Sequence, residues 1–212
     1  MAEKAQIKRR VAEELLRELS SFGVQKKGDV FRLPFGDGFS GFVGLNFIMY
    51  EAGRSIGLNP IVGLISEPVE KLLIELAQEE FKAPCPSLTS SIGYLMPARR
   101  YIQWNFDIDA DLETHLKQVR ELAAKIQHFG FPMMEENRSL SAIISALERH
   151  EHSSIQHAVY HLPIAYMLSK RLEAAESYLS RQLEEMRERT DTAAHSYRLF
   201  AARCLESPGF VR

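Results

Sequence analysis

The stretch FSGFVGLNFIMYE, Phe39 to Glu51, places Phe39, Gly41, Val43, Leu45, Phe47 and Met49 at every second position. A side-chain period of two is that of a β-strand, and an apolar row on one side requires that side to be covered. The alternate positions, Ser40, Phe42, Gly44, Asn46, Ile48 and Tyr50, are mixed. The second face is therefore partly covered as well. A strand of this length needs partners, so the chain must build a sheet around it and cover that sheet with something amphipathic.

The flanking sequence supplies both. Ile7, Val11, Leu15, Leu16 and Leu19 make an apolar stripe on a helix from Ala2 to Ser21, and Gly23 is placed to end it. Val30 to Phe35, then Gly36-Asp37-Gly38 and the long stretch, read as a β-hairpin. Leu58 to Ile65 is a third strand, in which Pro60 belongs near the start or on an edge, since it donates no ladder hydrogen bond. Ser66 caps a helix that buries Val69, Leu72, Leu73 and Leu76 and turns Glu70, Glu75, Gln78 and Glu79 to water. KAPCPSLTSS is then a loop. Ile92 to Met96 and Tyr101 to Phe106 are two further strands around a turn at Pro97 to Arg100, with Trp104 in the core. Asp109 or Asp111 starts a helix closed by Gly130 and Pro132, and from Ser139 onward the pattern is helical throughout, with Pro163 kinking or opening one helix.

The expected class is α+β: a mostly antiparallel sheet of about five strands packed by amphipathic helices, followed by an all-helical layer. The expected division is 1–149 for the α+β part and 150–212 for the helical extension. AYMLSKRLEAAESYLSRQLEEM resembles one tetratricopeptide helix pair, but no second copy follows at a period of about 34 residues, so no solenoid is expected.

Composition narrows the function classes. A formal charge of −2 with 25% charged residues argues against a dedicated nucleic-acid binder. The amino terminus is charged and lacks the apolar run of ~7–15 residues of a signal peptide, and no uncharged apolar stretch of ~18 residues occurs. A cytoplasmic chain with two free thiols, Cys85 and Cys204, is expected, with no membrane partner.

Candidate chemistry is sparse. His150, His152, His157 and His161 are four of the seven histidines, and His157 and His161 share a helix face at a spacing that chelates a divalent metal. The residues between them are Ala-Val-Tyr, so the HExxH pattern and its general base are lacking, and Glu151 is the nearest candidate third ligand. Asp107, Asp109 and Asp111 alternate like the start of a calcium loop, but Leu112 stands where its glycine belongs and Gln118 where its last acid belongs. These acids read as caps of the following helix. No phosphate-binding loop and no GxSxG nucleophile motif is present, and Cys85, between two prolines, has no base near it in sequence. Neither a catalytic residue nor a cofactor is assigned.

The landmarks SFGVQKKGDVFR, GFVGLNFIMYE, GLNPIVGL, SIGYLMP with YIQWNFD, and a helix ending in FGFPMM resemble a group of bacterial α+β proteins, some of which look like immunity partners of secreted polymorphic toxins. The resemblance covers about the first 150 residues and implies a non-catalytic, protein-binding chain that occludes a cognate toxin. Its partner surface is expected at the hairpin tip and strand end, with Arg99, Arg100, Asp107 and Asp109 as contacts. Two alternatives stand beside it: a metal-dependent enzyme using the His150 to His161 cluster, and a scaffold in which the last helices self-associate into a homo-oligomer.

Overall fold

The structure, a computed structural model, describes residues 2–27, 30–49, 53–78, 81 and 85–207. The α+β class and the antiparallel sheet are as expected. One six-stranded sheet runs in the order β1 (Gln25–Lys27), β2 (Val30–Gly36), β3 (Phe39–Met49), β4 (Ser55–Ser66), β5 (Leu88–Ser91), with β6 (Trp104–Asp107) also on β4. β1, β2 and β3 form an antiparallel meander in which Phe31 faces Val43 and Val30 faces Gly44. The β2–β3 turn is made by Asp37 and Gly38, both at positive φ, after a register shift between Pro34 and Gly36. That turn chemistry matches the right-handed twist of a hairpin.

The alternation in β3 buries its row in the middle: Gly41 and Val43 are buried, whereas Met49 is 55% exposed. The strand that the core surrounds most completely is β4, with Ile56, Leu58, Val62 and Leu64 all fully buried. Pro60 lies inside β4 and is buried, and the antiparallel pairing with β6 stops at Leu58, before the residue that has no N–H to give.

Several expectations between residues 84 and 136 are corrected. Part of the expected loop is strand β5, and the expected strand at Ile92 to Met96 is a short helix, α3 (Ile92–Leu95). In α3 the Gly93 carbonyl accepts from Arg100 N–H, and a Cβ on Gly93 would collide with the Arg100 carbonyl oxygen, so the chain folds back too tightly for a strand pair. Only Trp104–Asp107 of the next segment is strand, paired to β4. Trp104 is half-buried there, and Phe106 takes the core position. Helix α4 (Leu112–Lys125) does not close at Gly130: it widens into a π-helical turn, Ile126–Gly130, and continues as α5 (Phe131–Glu136). Pro132, which has no N–H to give, stands just after the π-helical turn, where the regular i→i−4 ladder is already interrupted.

The chain divides into two compact units, and the expected segments 1–149 and 150–212 run across that division. Unit 1 comprises residues 1–64 and 89–136, and unit 2 comprises 65–88 and 137–212. In unit 1, helix α1 (Ala2–Ser20) sets Val11, Leu15 and Leu19 against β3 and α4, and Gly23 at φ +82 ends it as expected. Unit 2 consists of α2 (Glu67–Ala77), α6 (Leu140–Glu148), α7 (Ile155–Leu168), α8 (Leu172–Glu185) and α9 (Thr192–Glu206). Helix α7 packs on α2, α6 and α8, while α9 packs on α2 and α8. A helix with three neighbours is covered on most of its circumference, which is why α7 carries Pro163 and buried residues on nearly every face. Each large side chain buried this way contributes about 1.5–3 kcal/mol. No helix among the described residues is long and apolar enough to cross a membrane.

Candidate metal centre

Five side chains of unit 2, from two stretches far apart in sequence, meet at the face of α7 that meets α2. His157 and His161 stand one turn apart on α7, whose start is fixed by the Ser154 side chain accepting from the His157 N–H. Glu70 comes from α2. That helix packs on both α7 and α9, so its buried arc includes Val69, Glu70, Leu73, Leu76 and Ala77, and Glu70 is 1% exposed. The expectation that Glu70 faces water is overturned by this second helix neighbour. Cys85 and Ser87 arrive on the segment that leads from α2 to β5.

The carboxylate is held from several sides. Ser87 Oγ donates to Glu70 Oε1 at 2.7 Å and accepts from the Ser66 N–H at 3.0 Å. The Cys85 backbone N–H donates to Glu70 Oε2 at 3.2 Å, and the Cys85 thiol lies 3.3 Å from the same oxygen. His161 Nε2 is 3.2 Å from Glu70 Oε1 and 3.8 Å from Cys85 Sγ. The side-chain ligand atoms of Cys85, His157 and His161 all lie within 4.8 Å of one another. The two imidazole rings are 4.1 Å apart, with Phe81 edge-on to His161 at 5.9 Å.

The tautomer of His161 follows from its other nitrogen. Nδ1 is 2.9 Å from the His157 carbonyl, which only accepts, so Nδ1 carries the hydrogen. A neutral His161 then points the Nε2 lone pair at a carboxylate and a sulfur. A proton, on the imidazole or on the thiol, or a metal ion satisfies that arrangement. Fixing one ring nitrogen on a main-chain carbonyl so that the other is free to ligate is also the usual support of a metal-bound histidine.

The remaining electrostatics set neutral groups around one anion. Burial is the largest influence on Glu70 and would raise its pKa, but the bonds from His161, Ser87 and Cys85 together outweigh it, and Glu70 stays an anion. Burial, then the charge and hydrogen bond of Glu70, push the Cys85 thiol far up. Burial, then His161, push His157 down to about 4, against a smaller opposing pull from Glu70, leaving a neutral imidazole. A nucleophilic cysteine requires the reverse, a lowered thiol pKa. On His161, Nδ1 serves the main chain and Glu70 shares the Nε2 side. Cys85, which has no base near it in sequence, is half-buried in this network beside His161 and Glu70.

A divalent cation fits the donor set. Bonds of about 2.3 Å to sulfur and 2.05 Å to nitrogen or oxygen give tetrahedral edges of about 3.3–3.6 Å. The Cys85 Sγ to His161 Nε2 separation, 3.8 Å, is close to such an edge, and the ligand atoms of Cys85, His157 and His161 lie within 4.8 Å of one another. One thiolate and one carboxylate also balance two positive charges, which leaves the buried site neutral. Mixed thiolate and imidazole donors suit zinc.

His157 reaches out of this cluster to line a cleft of about 630 Å³ within unit 2, walled by Phe81, Tyr160 and Tyr197 and by Gln182, Glu185 and Arg189. Of the sequence candidates, His157 and His161 are therefore brought together. His150 and His152 sit at positive φ in the link before α7, and Glu151 pairs with Arg149. The other members of the cluster, Glu70 and Cys85, have no local motif, and the only signal in the sequence is a cysteine between two prolines.

The expected partner residues lie elsewhere, in unit 1. Arg99 and Arg100 are exposed on the turn after α3, with Tyr94 and Tyr101 exposed beside them in the chain at 54% and 50%. Asp109 is exposed but engaged by both Arg54 Nε and Nη2, and Asp107 accepts from the Asp109 N–H. Asp111, not Asp109, caps α4 by accepting from the Thr114 N–H. No protein-family model matches the chain, and no curated protein sequence or solved structure matches it.

Proposed function

We propose that this chain is a metal-dependent enzyme of the hydrolytic type, with Cys85, His157 and His161 as ligands to zinc and Glu70 as the proton acceptor beside it. The carrying observation is the convergence of three ligand atoms within 4.8 Å next to a buried carboxylate. Glu70 takes the base role because both its oxygens are already oriented, by Ser87 and by the Cys85 N–H. Bound there, the metal would polarise a carbonyl or activate water. Three protein ligands leave one of four positions open, and His157 carries the centre to the cleft wall.

The test is metal content of protein purified without a histidine tag. About one zinc per chain is expected, falling below about a tenth in His161→Ala and Cys85→Ala, and retained in Glu70→Gln. Wild-type protein that stays metal-free after incubation with zinc and gel filtration removes this reading.

A second reading, a surface that binds a protein partner, is favoured by the exposed group Tyr94, Arg99, Arg100 and Tyr101. Tyrosine and arginine are the residues enriched at interface hot spots, and paired arginines select an acidic surface. On the sequence resemblance that partner is a secreted toxin domain. Co-expression with a toxin encoded beside the chain is expected to protect cells, and protection is expected to fail in Arg99→Glu/Arg100→Glu. Equal protection by wild type and variant would rule this surface out.

A further inference from the structure

The apolar row of β3 is not covered to its end. Val43 is buried, but Leu45 and Phe47, the next two on the same side, are half-buried, and Met49 is 55% exposed. These three line a groove of about 480 Å³ in unit 1, a size that holds a small molecule. Ala5, Lys8, Arg9 and Ala12 of α1 line it too, at the i, i+3, i+4, i+7 spacing of one helix face, and so does Lys26 of β1. An apolar strip within a charged rim is the general form of a binding groove.

The rim carries a surplus of positive charge. Three cations and one acid, Glu13, line the groove, and Glu13 pairs with Arg9 at 3.7 Å. Lys8 and Lys26 are exposed and have no acidic partner among the described residues. The Lys8 ammonium lies instead over the Phe47 ring, 5.4 Å from its centroid. With a cation already on that ring, the remaining apolar contacts are Leu45, Met49 and the two alanines, which suit a flexible aliphatic chain better than a second ring. From Leu45 to Met49 the strand rises about 13 Å, the length of an extended chain of about ten carbons.

We propose that this groove binds one fatty acid, with its alkyl chain along Leu45, Phe47 and Met49 and its carboxylate among the surplus charges of Lys8 and Lys26. A groove beside a helix admits a single chain and not the flat face of a bilayer, so the ligand is the free acid in solution. The inference stands apart from the metal-enzyme reading, whose donors belong to unit 2.

Decanoate is the probe, titrated by calorimetry into the full chain below its micelle concentration. Hexanoate and octanoate vary the chain, and decyltrimethylammonium keeps the chain and reverses the charge. Affinity is expected to rise about two- to fourfold with each added methylene up to decanoate, and decyltrimethylammonium is expected to bind roughly tenfold more weakly than decanoate. Lys8→Glu/Lys26→Glu is expected to weaken decanoate roughly tenfold at low salt and less at high salt. Met49→Asp is expected to weaken it as well. Both side chains of the double variant and that of Met49 are exposed, so thermal stability is expected to hold. Absent decanoate binding, equal binding of decyltrimethylammonium, or an affinity unchanged in Lys8→Glu/Lys26→Glu would each overturn the inference. Binding to phosphatidylglycerol vesicles without binding of decanoate would also overturn it, and would make the strip a membrane contact.

Discussion

A carboxylate 1% exposed on a helix is tolerated only while its lone pairs are met, and Glu70 is met by Ser87, Cys85 and His161. Removing it strands a serine hydroxyl, a main-chain N–H and an imidazole in a dry space. Glu70→Ala is therefore expected to lower the unfolding free energy of metal-free protein by about 3 kcal/mol, with Glu70→Gln costing less because one acceptor remains. Urea denaturation in EDTA measures both, and a loss under about 1 kcal/mol in Glu70→Ala would show that the network is wet and loosely held. Helical periodicity concealed this residue. Val69, Leu73 and Leu76 account for one packed face, and only a second neighbouring helix turns position 70 inward. His157 and His161 were legible because four residues is a helix period. Cys85, 76 positions from His161, has no spacing that links it to anything.

At the scale of elements, ends were read better than middles. Asp111 and Ser139 each accept the N–H of the third residue onward, a local signal, whereas Ser66, also expected to cap its helix, makes no side-chain cap bond. The π-helical turn at Ile126–Gly130 was not legible, since Gly130 and Pro132 together imitate a helix stop. Gly130 is spent on closeness instead, with Val62 Cγ1 3.1 Å from where its Cβ would be. The strand at Ile92–Met96 failed for a related reason, because a four-residue helix carries too short a pattern to show its period. The cap of α9 gives a prediction in pH. Asp191 is held down to about 2, first by Arg189 and then by the Ala194 N–H. A depressed carboxylate contributes stability that is complete above its unfolded pKa of about 3.9 and fades as pH falls through the folded value. The first turn of α9 is thus expected to fray between about pH 4 and pH 2, together with titration of the Asp191 carboxyl in NMR, and Asp191→Asn is expected to abolish that step. An Asp191 titration centred at the unfolded value would remove the cap argument.

On the scale of the whole molecule, the chain passes between its compact units after Leu64, after Leu88 and after Glu136, so neither unit is a continuous piece of sequence. The first excursion, 65–88, carries Glu70, Cys85 and Ser87 into unit 2, where His157 and His161 already lie. A reading that cuts the chain at Arg149 separates Cys85 from His157 and His161, which explains why the linear pattern offered Glu151 as the third donor. The arrangement also predicts where metal binding is felt. An ion that binds only the folded site stabilises what holds it by RT ln(1 + [L]/Kd), about 4.1 kcal/mol at a thousandfold excess over Kd, or roughly 10³ in opening equilibrium. The ligands sit on the 85–87 segment and α7, and the carboxylate beside them sits on α2. Hydrogen exchange in zinc against EDTA is therefore expected to slow in those three segments, toward that factor where opening is local to unit 2, and to leave α1, β2 and β3 unchanged. Uniform slowing along the chain would mean that the two units open as one. Slowing confined to any segment without Glu70, Cys85, His157 or His161 would place the ion elsewhere.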